Sequence, residues 1–561
     1  MPYLSLDNLK LKLSCDFSDK EKAKAISDYK WNSKDKTWDY PPTHDIFLSL
    51  KQAFSDLQIE PAILHFFKQS EEELKKGEEF KRDPQSSLPQ IQLKSKPYDH
   101  QKTGISFLLN QKTCLLCDEL GAGKSLQALG AAIARHNAGE VNHVLIICPS
   151  TIKNVWLKEI LKHTYEKALV VSGTHKQREK IFKEYKESDI LFLIMNYESV
   201  RVHPPPIDFS MLILDEVVRI KNSKAGITKR IKKIPCKYKI GLSGYPVANT
   251  VIDIWSQVDW IRPGYLGSRW GFEDRYMIKQ TMVLKDSREF KQIMGYKNLK
   301  ELQKKLYPLY IRRLKSEVLD LPPKIYETRE IELNKEQKAA YAKMKEEMRV
   351  WIEDMDEVEV QAKARTILVQ LLRLSQITDG FLTDVTWDKP IWFKESAKIK
   401  ELDGLIEEVI QSGNKCVIWS RFVPMVLKLH ERYKKYNAVH ITGSVKIDDR
   451  TKNIDKFQND PRCLIMIGQI QSGGMGITLT AANTEIFMDK AFISPSNIVQ
   501  AIDRLHRIGQ KKSVVIISLV AKYTVDTHWE KLLERKKKMA ETLLGDKISR
   551  LNKKNITEML K

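Results

Sequence analysis

The chain has no apolar run near the ~18 residues that a membrane-spanning helix needs; the longest, around Val514–Ala521, is strand-sized. Cysteine is scarce. Seven thiols, at positions 15, 114, 117, 148, 236, 416 and 463, are too few and too scattered across 561 residues for a disulfide framework. Cys114 and Cys117 form a C-x-x-C without a second pair or a nearby histidine. Both fall in an apolar run, where a free thiol packs as a small hydrophobe. The twelve histidines display no ligand-type spacing. The opening MPYLSLDNLK lacks the basic start and apolar core of a secretory leader, and no short-period repeat or low-complexity tract is present. Membrane, secreted and disulfide-scaffold classes are therefore not expected.

What is present is a folded composition, 42% hydrophobic with 30% charged residues. At ~150 residues per domain the length predicts three to four domains. Lys and Arg number 94 against 72 Asp and Glu, leaving +22. An excess of this size points to a polyanionic partner, although lysine-rich faces also serve as plain solubilising surface, and charge does not distinguish DNA from RNA.

Along the chain, residues 1–90 read as a small polar, lysine-rich domain with an aromatic cluster (Tyr29, Trp31, Trp38, Tyr40) and a charged helix or linker over Glu71–Arg82. Residues 91–262 alternate short apolar runs with amphipathic stretches: Thr113–Cys117, Val144–Cys148, Ala168–Val171, Ile190–Met195 and Met211–Leu214. Parallel strands buried by crossover helices give this pattern. Residues 263–395 are charged and helical in period, as in Lys335–Asp354 and Val360–Leu374. The alternation returns over 396–525, and a basic helical segment, 526–561, comes after it. The fold class is α/β, two such blocks flanking a helical insertion. The acidic run Glu353–Glu357 reads as a solvated helix turn, with a DNA-mimicking role as the sharper alternative.

Asp118-Glu119-Leu120-Gly121-Ala122-Gly123-Lys124-Ser125 follows a strand and opens a helix. Backbone N–H groups of a glycine turn and a helix N-terminus cradle phosphates. Lys124 would reach the β- and γ-phosphates and Ser125 would bind Mg²⁺. A helix capped after a tight turn has the same local look. About 90 residues on, Met211–Leu214 ends in Asp215 and Glu216. A carboxylate at such a strand tip can hold Mg²⁺ (Asp215), and its neighbour can orient or deprotonate the attacking water (Glu216). Arg504 and Arg507, at i and i+3, are expected on one helix face, from which arginines of a second lobe stabilise charge on a γ-phosphate.

These residues together resemble the SNF2 family of superfamily 2 helicase-like ATPases over about 95–545. Tyr98-Asp99-His100-Gln101 resembles the adenine-reading Q motif, and Asp118–Ser125 the DEMGLGKT loop. Cys148-Pro149-Ser150 is similar to motif Ia, Asp215–Asn222 to DEAHRIKN, and Ser243–Asn249 to SGTPIQN. Ile311–Val318 with Leu321-Pro322-Pro323-Lys324 resembles the RRTKSDV…LPPK signature. Thr442-Gly443-Ser444, Arg450, Gly473–Thr480 and Arg504–Gln510 resemble the second-lobe motifs. The chain departs from the pattern at Val218, where relatives carry the motif II histidine, and at Tyr245 and Ala248, where they carry Thr and Gln. Those residues link the ATP site to the DNA side, so coupling is the property the departures touch.

The resemblance implies two RecA-like lobes joined near 311–330 and closing over ATP and Mg²⁺. Gln101 would read adenine; Gly121, Gly123, Gly476 and Gln500 would line the nucleotide; Arg504 and Arg507 would complete the site. DNA contacts by motif position are Ser150, Lys153, Tyr197, Arg421, Gly443 and Ser472, mostly to phosphates and hence salt-sensitive. The implied activity is ATP-dependent translocation on duplex DNA that remodels forked or branched structures or displaces bound proteins. The rivals are an uncoupled nucleic-acid-binding scaffold and the motor subunit of a restriction or defence complex. Tyr29–Ala53 resembles a HARP element of annealing helicases, its basic and aromatic residues suiting single-stranded or junction DNA. Size suggests a monomeric bacterial or phage enzyme, placed in the cytoplasm or nucleoid, or in the host cytoplasm for a phage.

Overall fold

Apolar runs of four or five residues become strands covered on both faces by crossover helices, so their backbone polar groups pair within the sheet while nearly every side chain is buried. The computed structural model describes residues 1–544 except 8, 85–87, 90, 284–288, 354–363, 384–388, 471–476 and 492. It divides into two compact units. One comprises Met1–Gln280, Ile293–Val318 and the segment from Ala540; the other comprises Thr281–Gln292 and Leu319–Met539.

The first unit is organised on a seven-stranded sheet. Its strands lie in the order Tyr310–Ile311, Thr113–Leu116, Tyr238–Leu242, Met211–Asp215, Val144–Cys148, Phe192–Asn196, Ala168–Val170. All neighbours are parallel. Counted along the chain this is seventh, first, sixth, fifth, second, fourth, third. Because the strands share one direction, the loops after the first, second, fourth, fifth and sixth leave from one edge, where ligands sit in open α/β sheets.

Residues before this sheet form a five-stranded α+β layer, ordered Lys30–Asn32, Thr37–Tyr40, Lys10–Ser14, Tyr3–Asp7, Gln58–Ile59, with helices His44–Ala53 and Pro61–Arg82. The aromatic cluster splits. Trp38 and Tyr40 (7% and 1% exposed) join Leu4, Leu11, Leu13, Phe47 and Phe67 in the core. Tyr29 and Trp31 stay exposed, resting on the Trp38 ring at centroid distances of 5.3 and 4.8 Å. Glu71–Arg82 is the second half of the long helix, and Arg262 Nη2 donates to its Glu73 at 2.5 Å.

The second unit carries a six-stranded parallel sheet in the order Lys324–Ile331, Val514–Ala521, Thr484–Phe487, Cys416–Ser420, Ile465–Gln469, Val439–Ile441. Counted along the chain this is first, sixth, fifth, second, fourth, third, the order of the other sheet without its seventh strand. Both units therefore have the RecA-like arrangement. Lys324–Ile331, which the sequence reading leaves in the connector, is the first strand here. It pairs over eight residues with Val514–Ala521. KIYETREI exposes four of its eight side chains and buries only Ile331, as an edge strand does, so no continuous apolar run marks it.

Helices Lys335–Glu353 and Ala364–Asp379 supply the expected helical insertion, where Leu333, Tyr341, Leu374 and Ile377 form a small core. The region 263–395 is not helical throughout: Met277–Val283 pairs with Glu289–Tyr296, and Phe381–Thr383 runs antiparallel to Pro390–Trp392. Lys398, fully buried, bridges Asp379 at 2.8 Å and Asp526 at 2.7 Å. Helix Val525–Leu544 ends the described chain, and residues 545–561 of the expected basic segment lie outside it. The acidic run beyond Glu353 also lies outside the described residues. Cys114, Cys117, Cys148, Cys416 and Cys463 are buried free thiols, and no described helix is long and apolar enough to cross a membrane.

Candidate functional site

Between strand Thr113–Leu116 and helix Lys124–Asn137 the chain turns through Gly121 and Gly123, at φ +84° and +80°. That left-handed backbone favours glycine, and a Cβ at Gly123 would also come within 2.1 Å of Gln101 Nε2. The turn thus aims N–H groups and a helix N-terminus at one spot, an anion cradle. Lys124 lies at its mouth with Nζ donating to the carbonyls of Asp118 (2.8 Å) and Glu119 (3.3 Å), and Ser125 is in the first helical turn.

The loop is braced from a distant segment. Cys117 N–H donates to Ile311 O at 2.7 Å and Glu119 N–H to Arg313 O at 3.0 Å. Arg313 pairs with the buried Asp118 carboxylate and donates to Gln127 Oε1 at 2.9 Å and to the His100 carbonyl. Arg312 Nη1 reaches Cys117 O (2.9 Å) and Gly244 O (3.1 Å), joining the loops after the first and sixth strands. Gln101 is 3% exposed, its Oε1 accepting from Tyr98 N–H and its Nε2 donating to Ala122 O at 3.3 Å. In this conformation its amide holds the loop itself.

Asp215 ends strand Met211–Asp215. Its Oδ2 accepts from Trp156 Nε1–H at 2.8 Å and its Oδ1 from Glu216 N–H at 2.9 Å. Burial raises its pKa, opposed by the Trp156 hydrogen bond and then by the Lys124 ammonium. Glu216 adopts φ +55°, ψ +56°, a strained conformation for a residue with a side chain. Tyr197 Oη donates to the carbonyls of Asp215 (2.8 Å) and Glu216 (3.4 Å) and pins that turn. Neither Trp156 nor the Tyr197 brace is legible from motif spacing, although Trp156 lies three residues past Lys153 on the same helix.

Tyr197, expected at the DNA, is 0% exposed, with its hydroxyl engaged by those carbonyls. Ser150 is exposed in a short turn after Val144–Cys148. Lys153 is half-buried, its pKa lowered by burial, and Nζ donates to Val171 O at 2.8 Å. In the second unit, Arg421 N–H donates to Asp489 and its Nη1 to Ala491 O at 3.0 Å, while burial lowers its pKa. Gly443 is exposed, its N–H donating to Gln469 Oε1 at 3.4 Å. Ser472 and Gly476 lie outside the described residues.

Gln500 is half-buried on helix Pro495–Ile502. The helix stops short of the two arginines. Arg504 N–H bonds Ala501 O and Leu505 N–H bonds Ile502 O, tight turns that bury Leu505. Arg504 and Arg507 are thus not on a helix face, yet they converge: Nη1 of each donates to Ile477 O, at 3.4 and 3.2 Å, and Arg507 Nη1 also to Thr478 Oγ1 at 2.9 Å. Among the departures, Tyr245 and Ala248 are interior (7% and 5% exposed), and Val218 sits in the short helix Val217–Ile220.

The SNF2-related domain model matches residues 100–380 and the helicase conserved C-terminal domain model residues 397–509. An uncharacterized ATP-dependent helicase of Mycoplasma genitalium is 27% identical over 82% of this chain and 44% of its own. The ISWI chromatin-remodeling complex ATPase ISW1 of Saccharomyces cerevisiae is 27% identical over 78% of this chain and 39% of its own. The chain thus spans less than half the length of these curated relatives. The Sulfolobus solfataricus SWI2/SNF2 ATPase core in complex with dsDNA, 26% identical, covers 82% of this chain and 95% of its own at a TM-score of 0.40. With the SNF2-related match running through half of its residues and the helicase C-terminal match coming after it, this chain belongs to the SNF2 family of helicase-like ATPases.

Proposed function

We propose that the chain is an ATP-driven motor that tracks along double-stranded DNA and remodels forked or branched substrates or strips bound proteins from them. The observation that carries this is that the glycine turn bearing Lys124 and the Asp215–Glu216 turn leave the same edge of one parallel sheet. Two relatives that match most of this chain are described as an ATP-dependent helicase and a remodelling ATPase, and the net charge of +22 suits a phosphate backbone.

In this reading the Lys124 ammonium leaves the Asp118 and Glu119 carbonyls for the β- and γ-phosphates, while the Gly121–Gly123 turn holds the triphosphate through its N–H groups. Ser125 and Asp215 are oxygen donors of the kind a hard divalent cation takes, and each Asp215 oxygen keeps a lone pair beside its hydrogen bond. They would hold Mg²⁺, whose chemistry is charge neutralisation on the phosphates. Glu216 orients and deprotonates the attacking water, from a backbone held taut by Tyr197. Arg504 and Arg507, gathered at Ile477, are read as stabilising charge on the γ-phosphate, and Gln500 and Gly476 as nucleotide-binding residues. Ser150, Lys153, Arg421, Gly443 and Ser472 supply phosphate contacts. The N-terminal layer, with Tyr29 and Trp31 exposed beside lysines, is read as a HARP-type element for junction DNA in a bacterial or phage enzyme.

The test is ATP hydrolysis by the full chain with single-stranded, duplex, forked and four-way-junction DNA. Duplex-containing DNA should stimulate it, forks and junctions most, and Lys124→Ala and Glu216→Gln should abolish it. Tight DNA binding with no stimulation by any DNA would overturn the motor and favour a scaffold uncoupled through Val218 and Tyr245.

A further inference from the structure

Away from the nucleotide edge, His175, Glu179 and His203 bring three ligand atoms within 4.8 Å of one another. His175 opens helix His175–Lys186 and Glu179 follows at i+4, so both lie on one helix face. His203 arrives from the end of helix Tyr197–Val202. The two imidazoles stack at a centroid distance of 3.9 Å with their planes 8° apart. His203 Nε2 lies 2.9 Å and His175 Nδ1 4.0 Å from the same oxygen, Glu179 Oε1.

We infer that His175, Glu179 and His203 form a binding site for a divalent transition-metal ion of the zinc type. Two imidazoles and one carboxylate are a donor set that such ions take with an open position left for water. Tetrahedral arms of about 2.1 Å place neighbouring ligand atoms about 3.4 Å apart, so a pair at the 4.8 Å limit closes by about 1.4 Å while His203 Nε2 and Glu179 Oε1, now 2.9 Å apart, open by about 0.5 Å. The fixed ligand is His203, 9% exposed and set edge-on against Phe182 at 5.2 Å. The adjustable one is His175, whose side chain is 70% exposed and turns out of the stack without disturbing the core. His203 Nδ1 is buried without a hydrogen-bond partner. Metal binding takes the Nε2 lone pair, so the ring proton moves to Nδ1, and the Nε2–H bond to Glu179 gives way to the cation that both residues then share.

The placement gives the ion a consequence. It would tie helix His175–Lys186 to the end of the helix whose first residue, Tyr197, pins the Asp215–Glu216 turn. A bound cation should stiffen that corner of the first unit.

The experiment titrates the full chain with Zn²⁺ against a competing chromophoric chelator, alongside thermal melts with Zn²⁺ or Mg²⁺. Because the chain also holds free thiols, wild type is compared with His175→Ala and Glu179→Gln, both exposed positions whose variants keep the fold. Wild type should bind one more Zn²⁺ per chain than His175→Ala, and Glu179→Gln should bind that ion at least tenfold more weakly. Zn²⁺, and not Mg²⁺, should raise the melting temperature of wild type, by less for Glu179→Gln and not at all for His175→Ala. If His175→Ala keeps the wild-type stoichiometry, or the same Zn²⁺-dependent melting shift, the site does not exist.

Discussion

Arg313 grips both oxygens of Asp118, Nε on Oδ1 at 3.0 Å and Nη2 on Oδ2 at 2.5 Å, across 195 residues of sequence. Asp118 is fully buried and Arg313 nearly so, their side chains 0% and 14% exposed. The pair fastens the segment just past strand Tyr310–Ile311 to the first residue of the phosphate loop. A buried carboxylate without its guanidinium costs far more than the intact pair contributes.

Arg313→Ala should therefore lower the stability of the first unit by about 3–5 kcal/mol. Asp118→Asn with Arg313→Met, which removes both charges, should recover part of that loss. Urea melts monitored by tryptophan fluorescence measure both. Equal losses in the single and double variants would mean that the charge pairing is not what holds the loop.

A second consequence concerns pH. Glu485 is fully buried in the second sheet, and burial pushes its carboxyl up to about 8, against the hydrogen bond that Trp419 Nε1–H donates at 3.2 Å. The folded chain then holds a proton between its ordinary value of 4.5 and about 8 that the unfolded chain releases. Stability from this group is complete below 4.5 and falls as pH rises through the window, by up to about 1.4 kcal/mol per pH unit. Glu485→Gln should flatten that part of the profile in melts of the second unit, leaving it the more stable protein, relative to wild type, at pH 8 than at pH 5.

These two residues mark where the sequence stops being readable. Val144–Cys148 and Cys416–Ser420 announce themselves because both faces are buried and every position is apolar or small. Lys324–Ile331 does not, since an edge strand with solvent on its face alternates like a surface segment. The glycine loop is legible because its signature is local: glycines, a lysine and a hydroxyl in succession. The Asp118–Arg313 clamp, the Lys398 bridge to Asp379 and Asp526, and the Trp156 bond to Asp215 join residues tens to hundreds of positions apart, and nothing at either end marks the partner. The i,i+3 spacing of Arg504 and Arg507 misleads about conformation and not about company. Turns replace the helix, while one carbonyl still gathers both side chains.

That gathering makes a prediction about hydrolysis. Arg507 Nη1 is oriented by Ile477 O and Thr478 Oγ1, and lysine, with one compact ammonium, does not make those bonds and also present a planar fork to a phosphate. Under the proposed function, Arg507→Lys and Arg507→Ala should each cut DNA-stimulated kcat by about 10³. Binding of a fluorescent ATP analogue to the isolated enzyme should change by only a few-fold, because the phosphate cradle belongs to Lys124. Nucleotide affinity falling in step with kcat would place Arg507 in ground-state binding instead.

Tyr197 separates a structural role from a DNA-contacting one. Its ring is completely buried, and its hydroxyl serves two carbonyls that hold Glu216 in the left-handed region. Tyr197→Phe keeps the ring and its packing and deletes only the donor, leaving buried carbonyls short of a partner at about 1–3 kcal/mol. The Glu216 turn should relax towards commoner backbone angles, carrying its carboxylate off the line of attack. We expect kcat to fall about tenfold or more, while the affinity for duplex DNA and its dependence on salt stay at wild-type values, since no phosphate contact is lost. The Lys153→Ala variant supplies the contrast, because its half-buried ammonium is proposed to reach a phosphate: DNA affinity and its salt slope should drop together. If Tyr197→Phe weakens DNA binding as Lys153→Ala does, the loop after Phe192–Asn196 opens on the nucleic acid, and the brace on Glu216 is not its function.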